Sequence, residues 1–91
     1  MEPVIDDGAI FGRVRELIAE TFFIEDVSDI DDATTFDGIA DWDSLGYTEV
    51  VMGLEQAYSI RIQPKKIYAA RSVGDVVGLV REALAEAQEH P

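Results

Sequence analysis

The chain has 91 residues, 47% of them apolar and only three of them proline, which suits one small packed core and excludes both a multidomain enzyme and a disordered chain. Nineteen acidic residues against seven basic ones give a net charge of −12, a balance that repels nucleic acid and anionic lipid and favours basic partners. Cysteine is absent, which removes disulfides, thiolate metal sites and a cysteine nucleophile.

A first helix is predicted from an N-cap at Asp6 or Asp7, because Ile10, Val14, Leu17, Ile18 and Phe22 follow at three-and-four spacing. From Glu25 to Asp43 that period fades into a long turn-rich loop, with Ile30, Phe36 and Ile39 the candidates for reaching the core. A second helix spans about Ser44 to Tyr58. Tyr47, Val50, Val51, Leu54 and Tyr58 form its apolar stripe, and Glu49, Met52, Glu55 and Gln56 fall off that stripe. Ser59-Ile60-Arg61-Ile62 reads as a short extended link, after which Pro64 opens a brief third helix to about Ala69. Ser72 with Asp75 resembles a capping box for a last helix whose inner face is Val73, Val76, Val77, Val80 and Leu84. Strand signals are nearly absent, and no repeat or linker divides the chain. The expected fold is all-α: one domain over residues 1–91, core about 8–87, a small four-helix bundle with a long first loop and a short third helix.

The charge is unevenly placed. Glu16 to Ile60 holds 12 carboxylates and no lysine or arginine, while the remainder carries seven acidic and seven basic residues. A solvated face and a docking surface for basic partners both fit this pattern. Eight of these carboxylates lie between Glu25 and Asp43, where self-repulsion should make folding respond to salt and magnesium. No apolar run approaches the roughly 18 to 20 residues that cross a bilayer, and Met1 to Asp7 lacks the basic and apolar parts of a signal peptide. A cytoplasmic protein is therefore expected.

Catalytic constellations are missing from the pattern. His90 is the only histidine and lies one residue from the end, so neither a serine triad nor a histidine base is expected. Asp41, Asp43 and Gly46 match the first, third and sixth positions of a calcium loop, but Leu45 and Met52 fall where its fifth and twelfth positions need oxygen ligands. No metal site and no catalytic residue are expected.

There remains Asp43-Ser44-Leu45, where the acidic loop becomes the second helix. A hydroxyl there faces backbone N–H groups that no helical carbonyl can reach, together with the positive end of the helix dipole. A phosphate esterified to it would be stabilised, although an ordinary N-cap fits the same three residues.

In its setting the motif resembles the acyl carrier protein family over roughly Ile10 to Leu84. The likeness rests on Asp41-Trp42-Asp43-Ser44-Leu45, on Glu49-Val50-Val51-Met52-Gly53-Leu54-Glu55 and on Ser72-Val73-Gly74-Asp75-Val76. It implies that Ser44 carries a 4'-phosphopantetheine arm, transferred from coenzyme A by a magnesium-using phosphopantetheinyl transferase. The arm's thiol would hold acyl groups as thioesters. Asp43 is then expected to orient the hydroxyl or help hold the metal in the transferase site. Glu49, Met52 and Glu55 are expected to face basic patches on acyl-loading and acyl-transferring enzymes, the chain itself being a monomer that binds neither nucleic acid nor membrane. Between the helices a pocket lined by Val50, Leu54 and Ile67 would shelter the acyl chain.

Departures from the family pattern are Gly46 and Gln56, which thin the acidic face, and Lys65, Lys66 and Arg71, which make the third helix basic. Trp42 gives a Trp-Asp-Ser-Leu form that looks like freestanding carriers of specialised, polyketide-like pathways, or else it anchors the loop by burying its ring. The Gly-Gly pair of peptidyl carriers is absent before the serine. The alternative to a carrier is an unmodified acidic helical domain that binds a basic protein or divalent cations. The two part at the serine oxygen.

Overall fold

A computed structural model describes residues 5–39 and 41–89; His90 and the first four residues lie outside it. Four helices follow one another: α1 (Asp7–Phe22), α2 (Ser44–Tyr58), α3 (Pro64–Ala69) and α4 (Val73–Glu89). Among the described residues the nearest thing to a strand is an isolated bridge between Thr35 and Ser72. No helix among them is long and apolar enough to cross a membrane.

Local chemistry sets the helix ends. The Asp6 carboxylate accepts the Gly8 N–H at 2.9 Å and starts α1. Pro64 begins α3, where its missing N–H costs nothing. At α4 the capping box closes both ways, with Asp75 N–H donating to Ser72 Oγ and Ser72 N–H to Asp75 Oδ2, each at 3.2 Å. The Arg71 N–H donates to the same Oδ2 at 2.9 Å, and these bonds, Arg71's foremost, hold the Asp75 carboxyl below the usual carboxylate range.

The core is aliphatic. Ile10, Val14 and Ile18 of α1 meet Val50 and Leu54 of α2 and Val73, Val76 and Val80 of α4, all within 2% of full burial. Leu17, Tyr58 and Leu84 only lean on this cluster, at the edges of their stripes. The loop sends in Ile30, Phe36 and Ile39, the three candidates its sequence offered, and turns once as a 3-10 helix at Phe36–Gly38. The link after α2 differs from the expectation. Ser59 ends the helix in the left-handed region (φ 54°) instead of extending, and this turn swings both Ile60 and Ile62 into the core.

Backbone bonds tie the long loop to the far end of the chain. Phe36 N–H donates to the Arg71 carbonyl, Val73 N–H to Thr34 (2.9 Å) and Gly74 N–H to Asp32 (2.9 Å). A β-carbon at position 74 would lie 2.9 Å from the Asp32 carbonyl oxygen, so only glycine permits this approach. The acidic loop is thus held by amides and not by cations. Every ion pair among the described residues uses a basic side chain from outside the acidic half: Arg13–Glu16, Lys66–Glu82 and Arg81–Asp7.

Candidate functional site

The loop reaches α2 through an aromatic cluster. Trp42 stacks on Phe36 with centroids 4.4 Å apart and tilts against Phe22 (5.3 Å) and Tyr47 (4.9 Å). Its ring therefore anchors the residue two before Ser44, which accounts structurally for a tryptophan there. Asp43 then caps α2, its Oδ1 accepting the Gly46 N–H at 2.7 Å.

Ser44 follows as the first residue of the helix, exposed to solvent. Its carbonyl accepts the Thr48 hydroxyl at 2.9 Å, and no hydrogen bond to another described group engages its own hydroxyl. The N–H groups of Ser44 and Leu45 lie in the first turn, where helical carbonyls cannot reach them. Aspartate cap, reachable hydroxyl and open first-turn amides together make a seat for an anionic ester.

Gly46 has a steric cause. A β-carbon there would lie 2.5 Å from two carbons of the Phe22 ring, which is buried and held by Trp42. Aromatic packing under the helix start thus leaves no room for a side chain at this position, which accounts for the glycine.

The other expected site residues lie along α2. Glu49 is exposed, as is Met52 at 51%; both point away from the core. Glu55 is half-buried, and its Oε2 accepts the Ile62 N–H at 3.0 Å, so this carboxylate braces the link between α2 and α3. Spacing along α2 alone could not reveal that bond, because its partner is seven residues on and beyond a turn.

A groove of about 460 Å3 runs between α2 and the α3 segment, walled by Val51, Met52, Ile62, Pro64, Ile67 and Tyr68, with Arg61 at its edge. Ile67 was expected there. Val50 and Leu54 were too, but their phase on the helix turns them towards α1 and α4, where they are buried. The next face round, Val51, Met52 and Glu55, forms the wall instead. The far wall hangs from Tyr47, whose hydroxyl donates to the Ile67 carbonyl at 2.6 Å. Burial, with the nearby Asp75 carboxylate adding to it, pushes that phenol up to about 12. Among the described residues no cluster of three or more histidine or carboxylate side chains could hold a metal ion.

The comparisons with known proteins agree with this geometry. The phosphopantetheine attachment site family matches residues 12–80. Acyl carrier protein 2 of Ralstonia nicotianae is 32% identical over 76 residues, covering 84% of this chain and 93% of its own length. The solution structure of holo acyl carrier protein from Geobacter metallireducens superposes with a TM-score of 0.75 at 26% identity, over 89% of this chain and 92% of that one. The all-helical fold of this chain is shared with that solved structure. The chain belongs to the phosphopantetheine attachment site family as a member of the acyl carrier proteins, a carrier and not a catalyst, whose prosthetic group is 4'-phosphopantetheine.

Proposed function

We propose that Ser44 bears the arm, and that the chain presents acyl groups to successive enzymes of a specialised, polyketide-like pathway. The observation that carries the attachment is the exposed hydroxyl in the first turn of α2, behind an aspartate cap and bonded to no other described group. When bound, the arm supplies the thiol this cysteine-free chain lacks and holds an acyl group as a thioester. The protein's own contribution is positional. Aromatic packing fixes the turn, first-turn amides and the helix dipole favour the phosphodiester, and tethering raises the local concentration of the cargo at each partner's site.

Asp43 serves twice in this reading, as cap and as the carboxylate that orients the Ser44 hydroxyl or the metal in the transferase. Glu49 and Met52 form the face offered to basic enzyme surfaces, with Glu55 contributing from its braced position; the carboxylates speed encounter and allow quick release. The groove beside Met52 shelters the acyl chain. The Trp-Asp-Ser-Leu form supports the pathway, and the acidic composition supports a cytoplasmic, monomeric carrier of one domain.

Incubation with coenzyme A, magnesium and a phosphopantetheinyl transferase should add one arm per chain by intact mass, and Ser44→Ala should abolish it. A wild-type chain that takes no arm from several transferases would favour the unmodified acidic domain. The thioester isolated from cells identifies the pathway.

A further inference from the structure

Phe23 is the outlier on this surface. It follows the last residue of α1 with φ 56°, in the left-handed region where a β-carbon is unfavourable, and 90% of it is exposed. Among the described residues the other two side-chain-bearing ones with positive φ, Asp41 and Ser59, are small and polar. Glycine would end the helix better, and a ring in solvent adds nothing to the core.

What the ring does create is one side of a shallow groove of about 240 Å3. Its apolar part is Phe23, Leu45 (71% exposed) and Gly46 above the Phe22 ring; its polar part is Asp41, Asp43 and Glu49. An aromatic face and exposed aliphatic surface bordered by three carboxylates suit an arginine, whose stem packs on apolar surface while its guanidinium lies over the ring and near the acids. No basic side chain of this segment competes, since none occurs between Glu16 and Ile60.

Position selects the partner. Asp43, Leu45 and Gly46 flank Ser44, so the groove and the serine share one turn. Enzymes that use the loaded arm act at its far end, and of this groove only Glu49 belongs to the face offered to them. The enzyme that forms the ester must bring its own surface onto the hydroxyl. We propose that Phe23 is a recognition residue for the phosphopantetheinyl transferase, which seats an arginine-bearing surface in this groove; the inference rests on Ser44 being the attachment residue.

The test uses the whole chain, coenzyme A and a transferase that modifies the wild type, with kcat/KM followed by intact mass and Tm measured alongside. Phe23→Gly should raise Tm, because the backbone strain is relieved, yet lower kcat/KM about tenfold, mainly through KM. Phe23→Tyr, which keeps the ring, should stay within about twofold of wild type. The proposal is overturned if Phe23→Gly is modified as efficiently as wild type, if Phe23→Tyr falls as far as Phe23→Gly, or if the loss comes with a lower Tm, which would mark a structural role. A wild-type chain that takes no arm would instead defeat the Ser44 assignment, and mass alone separates that result from the others.

Discussion

The groove has two unlike walls. α2 buries Gly46, Tyr47, Val50, Val51 and Leu54, and through them is part of the same packed unit as α1 and α4. The six-residue α3 buries none of its residues. It is held by the Tyr47 hydroxyl on the Ile67 carbonyl, by the Lys66–Glu82 pair and by partial packing of Ile67. The lesson is a division of labour: a packed wall that carries the serine, and a lightly held wall which, in the proposed function, yields to cargo at little cost to the core.

The rigid wall should break hardest. Leu54→Ala removes a fully buried side chain between α1, α2 and α4 and should cost about 2 to 5 kcal/mol, enough to unfold much of a domain this small. Denaturant melts check it; a loss under about 1 kcal/mol would mean that the rigid wall is not what holds the fold. Gly46→Ala tests the start of the same helix. Alanine favours helix by up to about 1 kcal/mol over glycine, but the Phe22 ring stands where its β-carbon must go. We expect a net loss of about 1 to 2 kcal/mol, and a rise in stability would show that the ring can move aside.

Tyr47 joins the two walls, and pH isolates it. Its phenol titrates near 12 in the fold against an ordinary value of 10, so the folded state favours the neutral form. That contribution is fully present below pH 10 and is lost as pH rises from 10 towards 12. Tyr47→Phe should cost about 1 kcal/mol at neutral pH by removing the bond to Ile67, and should flatten the decline between pH 10 and 12. Unfolding curves at pH 8, 10 and 11.5 give both readings. An unchanged alkaline decline would place its origin elsewhere.

The contrast also explains what could be read in advance. Helix limits were legible because their causes are local: the Asp6 cap, Pro64 at the start of α3, and the Ser72–Asp75 box. The place of Ser44 at the exposed start of α2 was legible for the same reason, since its setting is one helix turn. The groove was not, because it depends on which neighbour each face of α2 meets. Val50 and Val51 are identical in type, adjacent in sequence and both buried, yet only Val51 also lines the groove. The Glu55–Ile62 bond and the amide ties from Thr34 and Asp32 to α4 are likewise products of chain reversal, which local periodicity does not encode. Trp42 lay between: the sequence allowed an anchor for the loop, and packing on Phe36, Phe22 and Tyr47 made its half-buried ring one.

The smallest effect sharpens the comparison most. Lys66 and Glu82 are both well exposed at 3.3 Å, so Lys66→Ala should change global stability by less than about 0.5 kcal/mol. If α3 opens separately from the core, however, the same substitution should speed hydrogen exchange at the Ala70 amide, which caps α3 on the Lys66 and Ile67 carbonyls, while leaving Val50 and Leu54 on α2 as slow as before. High salt should produce the same selective change in the wild type, because screening weakens an exposed pair and leaves buried valines untouched. Equal acceleration in both helices would mean that the two walls open together and that the groove cannot widen without unfolding the carrier.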